Sequence, residues 1–501
     1  MLRRITQHRF RRAWVVNAAS LAALAGVACA ARWQLSDGAV LWLFIPPMIF
    51  SWRRQTVTTL ACVACFCFGF GLWRGSLSYA ALRPYQTFSK QKVTVTGVAA
   101  DDGAYGSREQ LSFTLGSVTL QTPVTARLPG VISVSGFGAG IVHRGDIVQA
   151  TGKLWPTLGG DQASMSFAEL QVRPKPPDTL EQLRRRFDAG LQSALPEPLA
   201  SFGLGLLIGQ RNTLPANVSQ ALLMVGLTHI IAVSGYNLTI ILRAARKMLG
   251  ERSKFQTTAC SIALMAVFLG IAGASPSIVR AAWVSGLGLA TWHYGRTIKP
   301  LPLLLLTASV SVLANPLYLQ GNVRWYLSFL AFFGVMIIAP LLTRRFFGAK
   351  EPKLFTAIII ESLCAEAMTV PYVLHVFGQL SLVALPANLL VVALVPLGMI
   401  ATLAAGVAGA LAASFVGWFA WPARLLLTYM IDVATLLSHI PHVFVQNRSF
   451  SGTAMLGAYV IVALAVLMLW QKVGRSGTIT EKKTETEGVA EHERTFQMVY
   501  D

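Results

Sequence analysis

An ionisable side chain inside an apolar run needs a partner or a task, and this chain sets Arg280 in one such run and Glu361 and Glu366 in another. A bare charge away from water is costly, so each marks a candidate functional site. Glu361 and Glu366 are five residues apart and fall on different faces of a helix. Pairing of Arg280 with Glu366 or Glu361 is the plain structural alternative. A second constellation lies in GLLIGQRNTLPANVSQALLMVGLTHIIAVSGYNLTII, which carries Thr228, His229, Ser234, Gly235, Tyr236 and Asn237 into an apolar segment. An imidazole, hydroxyls and an amide at that depth could line a wet path, since irregular polar backbone is tolerated there only when buried in protein or facing a cavity. Small Ser and Gly residues also serve plain helix packing. Pro276, Pro371, Pro386 and Pro396 break further apolar runs, which points to a cavity rather than a simple bundle.

Other chemistries leave no signature. The eight His are scattered, without an HExxH helix or a clustered metal site. His439 and His442 are three apart but lack a third ligand nearby, and read as interfacial packing. Cys62, Cys65 and Cys67 sit within ACVACFCFGFG, where cysteine acts as a small hydrophobe. No phosphate-binding GxxxxGK[ST] loop occurs, so any energy source is external. We expect no metal, no cofactor and no enzymatic activity.

The elements that hold these residues are mostly apolar. Of 501 residues 54% are hydrophobic and only 13% charged, yet the net charge is +20. A soluble chain is about 25% charged, so the expected class is a polytopic α-helical membrane protein. Arg3, Arg4, Arg9, Arg11 and Arg12 precede an apolar run from Ala13 to Ala31, and further runs follow near 39–52 and 57–73 with Arg53 and Arg54 between them. That spacing predicts three anchors over 1–75 with the N-terminus inside. Over 85–176 the pattern changes to period two: Val93 and Val95 alternate with Thr94 and Thr96, and Leu111, Phe113 and Leu115 with Ser112 and Thr114. Short alternating runs separated by Gly and Pro predict an inserted extracytoplasmic β domain, a small barrel or sandwich. Residues 177–215 form a linker whose Leu180, Leu183, Phe187 and Leu191 recur at helical spacing beside Arg184, Arg185 and Arg186, either lying on the membrane surface or packed on the β domain.

Spans are expected near 228–244, 256–273, 277–293, 301–318, 325–342, 354–376, 382–397, 399–418 and 453–471 within a membrane domain over 216–472. Pro396-Leu397-Gly398 is read as a tight or re-entrant hairpin, and 421–440 as lying along the outer face. The polar tail 473–501 is expected to be disordered and cytoplasmic. Connections assigned inside hold 20 of the 42 Lys and Arg against Glu251 and Glu351, a balance of +18. The basic excess therefore records topology, and it carries no separate argument for a polyanion. The β region itself, at +2 over 90–175, is weakly basic for a phosphate-binding surface. It offers Tyr105, Phe113, Phe137, Trp155 and Phe167 as stacking surfaces for single strands, several of which core packing will also claim.

Four ordered stretches share a resemblance. Gly209–Ile241, SPSIVRAA (Ser275–Ala282), NPLYLQGNVRWYLSFLAFFGV (Asn315–Val335) and FGQLSLVALPANLLVVALVPL (Phe377–Leu397) resemble the signature segments of the ComEC-type competence family of inner-membrane DNA-translocation channels. The resemblance covers about residues 13–471 and implies that the β domain is an OB-fold domain. It further implies a cell-membrane conduit importing single-stranded DNA during transformation. An extracytoplasmic DNA receptor, a cytoplasmic ATP-driven translocase and membrane lipid would be its partners. His229, Ser234, Gly235, Tyr236, Asn237, Arg280, Glu361, Glu366 and Asn388 are then the translocation candidates. Arg184, Arg185, Arg186, Arg211, Tyr105, Phe137 and Trp155 are the DNA-contact candidates. Two departures stand out. Many members carry a His shortly after the Ser-Gly, where this chain has Tyr236-Asn237, and many end in a metallo-β-lactamase-like domain, absent here together with its HxHxDH cluster. The alternatives are a membrane-embedded enzyme acting on a lipid-linked or envelope substrate, with His229 and Glu366 as acid and base, and a non-transporting scaffold.

Overall fold

A computed structural model describes residues 12–35, 37–39, 57–105, 110–138, 140, 142–156, 159–176, 179–210, 214–231, 237–242, 246, 253–273, 276–295, 299–348, 350, 352–411, 416–446 and 449–472. The second N-terminal run and the 473–501 tail lie outside them. Two helices open the chain, α1 (Arg12–Cys29) and α2 (Val57–Ala80), followed by the short α3 (Arg83–Thr87). Gly26, Gly71 and Gly75 let α1 and α2 close on each other: a Cβ on Gly75 would stand 2.5 Å from that of Ala30.

The β domain follows: β1 (Lys92–Ala99), β2 (Ala104–Tyr105), β3 (Leu111–Thr122), β4 (Ala126–Arg127), β5 (Ile132–Phe137), β6 (Ile147–Pro156) and β7 (Ala163–Arg173). Its long strands alternate as the sequence suggests. Val93, Val95, Leu111, Phe113, Leu115, Ile132, Val134 and Leu154 point into one core, and Tyr85 of α3 seals it, donating to the Pro129 carbonyl at 3.0 Å. β1 pairs antiparallel with both β6 and β3, β3 with β5, and β7 with β6, while β5 and β7 run parallel. Each of these five strands therefore has two neighbours, and the series of pairings returns to its start.

The remainder is helical: α4 (Thr179–Ala194), α5 (Leu199–Ile208), α6 (Ala216–Met224), α7 (Thr228–Ile231), α8 (Lys254–Ala272), α9 (Pro276–His293) and α10 (Pro300–Ala314). Then come α11 (Val323–Phe347), α12 (Leu354–Phe377), α13 (Ala384–Leu411), α14 (Val416–Ser438) and α15 (Gly452–Lys472). A two-stranded ladder joins β8 (Leu380–Ser381) to β9 (Phe444–Val445). Among the described residues seven helices are long and apolar enough to cross a membrane, namely α2 with its extension to Thr87, α8, α11, α12, α13, α14 and α15. This is a multi-pass helical membrane protein carrying a β domain.

Two expectations are corrected. Pro396-Leu397-Gly398 makes no hairpin: the helix runs on through it, and the irregularity is a 3-10 turn one turn earlier, at Val392–Leu394. Proline offers no N–H to the carbonyl four residues back and its ring crowds that carbonyl, so the disturbance falls at Val392 rather than at Pro396. Residues 421–440 belong mainly to α14, a 23-residue apolar helix that packs along α13 with Met430 over Gly398. At the centre lies α5, too short to stand out as a span, with Leu199 to Leu207 all buried. On α4, Gly190 meets Gly406 and Gly409 of α13, and a Cβ on Gly190 would come within 2.5 Å of the Ala410 backbone nitrogen.

Candidate functional site

The motif segment is anchored through the end of α5. Leu206 is one of the last four residues of that helix, whose carbonyls have no partner within it. Asn237, 2% exposed, supplies one by donating from Nδ2 to the Leu206 carbonyl at 2.7 Å. Its role is thus to tie the helical stretch 237–242 to α5. Ser234, Gly235, Tyr236 and Arg211 lie outside the described residues. His229, exposed on α7, has Nδ1 3.1 Å from the Gly226 carbonyl. A carbonyl only accepts, so in this contact Nδ1 carries the proton, and in the neutral ring Nε2 is the acceptor. Gly226 abuts the start of α13, where a Cβ would stand 3.0 Å from that of Ala384.

One turn into α13, Asn388 is 7% exposed and donates from Nδ2 to Glu366 Oε1 of α12 at 2.9 Å. Arg280 has other company. Its guanidinium donates to the Ser328 carbonyl of α11 and lies over the rings of Phe329 and Phe332, 5.7 and 5.3 Å from their centroids. Ser277, one turn earlier on α9, meets Ser328 hydroxyl to hydroxyl at 3.3 Å. The proposed pairing of Arg280 with Glu366 is not formed: each has its own partner, a carbonyl and aromatic faces for the cation, an amide for the carboxyl. Among the described residues no ion pair joins Arg280 to Glu361, which is exposed on α12. α11 and α12 join the two sets, with Gly334 closing onto the backbone at Cys364 and Tyr326 against Tyr372, ring centroids 5.3 Å apart. His229 and Glu366 do not meet as an acid–base pair, and among the described residues no group of His, Cys, Asp and Glu is placed to hold a metal ion.

The β domain is fastened over the ends of several helices. Arg144 donates to the Gly270 carbonyl near the end of α8 at 2.8 Å. Asn315 donates to the Gly160 carbonyl at 3.0 Å and Asn322 to that of Gly159, while their side-chain oxygens cap the turns that follow, at Leu317 and Trp325. Arg184 of α4 donates to Asp102, and both side chains are nearly buried. That contact corrects Arg184 as a candidate for DNA, because a phosphate would have to displace a buried carboxylate. Arg185 pairs with Glu181 at 3.1 Å, and Arg186 is exposed. Burial lifts the Asp101 and Asp161 carboxyls at this junction above the usual range, with Arg324 opposing. The Lys and Arg clusters near Lys254, Lys299 and Arg344 lie at the far ends of α8, α10 and α11 from these attachments.

On the outer surface of the β domain, Phe137 and Phe167 are 43% and 66% exposed, with ring centroids 6.3 Å apart. Phe167 has φ of 56° at a register shift between β6 and β7, a conformation that turns an aromatic ring outward from a bulge. Trp155 is 43% exposed with Lys90 Nζ 5.8 Å above its ring. Tyr105 belongs to β2, and its side chain is outside the described set. Phe113 is committed to the core.

Residues 206–472, just over half of the chain, match the family model described as Competence protein. The chain belongs to the competence protein family. The matched span begins in α5 and runs to the end of α15, so it contains Asn237, Arg280, Glu366 and Asn388 with their partners in the membrane domain. Over 275 residues, 52% of this chain, it is 28% identical to ComE operon protein 3 of Bacillus subtilis (strain 168). The match takes in 34% of that relative, so the chain spans about a third of the length of the curated relative it matches. No solved structure matches.

Asn315, Asn322 and Arg144 carry the attachment of the β domain and were not singled out from the sequence. The two Asn could have been found as helix N-caps on either side of PLYLQG. Arg144 left no local signal.

Proposed function

We propose that this competence-family chain is a channel in the cytoplasmic membrane through which single-stranded DNA is imported during natural transformation, driven by a separate motor. The observation that carries this reading is the family domain over residues 206–472, which implies DNA handling and gathers the intramembrane polar residues around α9, α11, α12 and α13. In this reading the ends of α8, α10 and α11 that bear the β domain face outward and the basic ends face the cytoplasm, in keeping with the positive-inside rule. N-terminus and tail then lie inside.

The β domain is read as a small closed barrel of the OB type. The support is its strand order, in which the first long strand pairs with the second and the fourth, and the third runs parallel to the fifth. Phe137, Phe167 and Trp155 with Lys90 would serve as stacking platforms for bases, and Arg185 and Arg186 as phosphate contacts. Arg280 would meet backbone phosphates in the channel. His229 and Glu366 have separate partners, which favours a conduit over a membrane-embedded catalyst.

Labelled DNA offered to a deletion strain tests the reading. Loss of cytoplasmic label with surface binding intact, restored by the wild-type gene but not by Arg280→Ala, is the expected result. Normal cytoplasmic uptake in the deletion strain would refute it.

A further inference from the structure

The contact between Glu366 and Asn388 is incomplete in a way that identifies what it lacks. Asn388 is 7% exposed and donates from Nδ2 to Glu366 Oε1 at 2.9 Å, yet among the described residues its buried Oδ1 has no hydrogen-bond partner. An orphaned buried acceptor is costly and uncommon. Oδ1 needs a donor, and an ionised carboxylate is acceptor-only. A protonated carboxyl has one O–H to give and keeps a carbonyl oxygen to accept from Nδ2. One proton therefore completes both side chains.

The surroundings favour the neutral form. Among the described residues Asn388 is the hydrogen-bond partner of Glu366, and no Lys, Arg or His makes an ion pair with it. α13 brings no ionisable side chain at all. On α11 the ionisable groups are Arg324 and Tyr326 towards one end and Arg344 and Arg345 at the other; α15 brings Tyr459 and Lys472. α12 itself carries Glu361, Cys364, Tyr372 and His375, and α7 brings His229, held at Gly226. Tyr459 is engaged with the Met368 carbonyl, and Tyr326 lies against Tyr372. α14, packed along α13, carries Arg424, Tyr429 and Asp432, none of them an ion-pair or hydrogen-bond partner of Glu366. A carboxyl at this depth, with no cation answering it among the described residues, keeps its proton.

We propose that Glu366 and Asn388 form a proton-binding site inside the membrane domain, with the carboxyl protonated at neutral pH and donating to the amide oxygen. The proton then latches α12 to α13. Releasing it leaves a charge and an orphaned acceptor at the seam, so the site favours separation of the two helices or entry of water. The inference is independent of what crosses the membrane, so its failure and that of the channel reading are distinguishable.

Infrared spectroscopy of the full chain in lipid bilayers at neutral pH, with and without 13C-labelled glutamate, tests it. The expected result is a carbonyl-stretch band of a protonated carboxylic acid that shifts with the label. It is lost in Glu366→Gln, retained in Glu361→Gln, and moved to higher frequency in Asn388→Leu, where the acceptor is gone. Absence of a label-sensitive band in the wild-type chain overturns the proposal without recourse to any variant. A band unchanged in Glu366→Gln overturns it equally. Should Glu366→Gln fail to accumulate, Glu366→Asp must remove the band from the glutamate-labelled set, and its persistence there also refutes the site.

Discussion

Replacing Arg184 by Met should loosen the β domain from the helices beneath it. The side chains of Arg184 and Asp102 are 8% and 12% exposed, and Glu181 lies 3.9 Å from the same guanidinium. Arg184→Met leaves Asp102 buried without its cation, and removing one partner of a buried pair costs about 3–5 kcal/mol. Arg185 remains on Glu181 and softens the loss, so the lower figure, about 3 kcal/mol, applies. Asp102→Asn should cost less, about 1–2 kcal/mol, because Glu181 stays near the arginine and the amide still accepts a hydrogen bond. Removing both charges together should cost well under the sum, with a coupling of about 2 kcal/mol or more. The assay is the thermal midpoint of the full chain in detergent, where about 3 kcal/mol set against the unfolding entropy of a 501-residue chain should lower the transition by roughly 3 °C. Protease cleavage between the β domain and α4 should accelerate in parallel. Effects that add in the double variant to within about 0.5 kcal/mol would refute the claim that the pair fastens the two parts.

Further outcomes can be checked alongside. Burial raises the Asp188 carboxyl to about 6, with Arg184 opposing and Asp102 and Glu181 adding to the rise. A raised carboxyl value means that its contribution to stability is complete below about 4 and is lost as pH rises through about 6. Asp188→Asn should therefore match wild type below about pH 4 and melt higher at neutral pH; equal midpoints across the range would count against the burial argument. At the α4–α13 crossing, Gly190→Val or Gly409→Leu should cost about 1–3 kcal/mol by overpacking and lower the membrane-inserted amount several-fold on immunoblots. If the β domain stacks bases, Phe137→Ala with Phe167→Ala in the full chain should weaken single-stranded oligonucleotide binding roughly tenfold or more by fluorescence anisotropy, with the salt slope unchanged. Arg280→Lys keeps the charge but not the fork over two rings, and DNA uptake should fall roughly tenfold; full uptake would remove the arginine from the path.

What the sequence disclosed depended on the range of the interaction. Period-two alternation at Val93–Thr96 and Leu111–Leu115 is local, and those strands formed with the expected faces buried. Apolar length revealed α8, α11, α12 and α15 for the same reason. Proline was legible as a disturbance but misplaced, since its effect acts on the carbonyl at Val392, four residues before Pro396. α5 escaped because ten apolar residues are too few to announce a span, although burial on all sides makes it the centre of the bundle. The partners of Arg280 and Arg184 lie 48 and 82 residues away. Sequence spacing marks such residues as needing a partner without saying whether it is a carboxylate, a carbonyl or an aromatic face.

The attachment of the β domain has a mechanical consequence. It is bolted at Gly270, at Asn315 and Asn322 on either side of one turn, and at Arg184, so a single piece spans several helix ends at once, in addition to the packing and the few hydrogen bonds that join the helices directly. Because the pairing of its strands returns on itself, that piece has no free edge among the five long strands along which to shear. It behaves as a tie plate. The helix ends beneath it share one spacing, and any widening of the domain has to occur at the opposite ends or be transmitted through these few amide and guanidinium bolts.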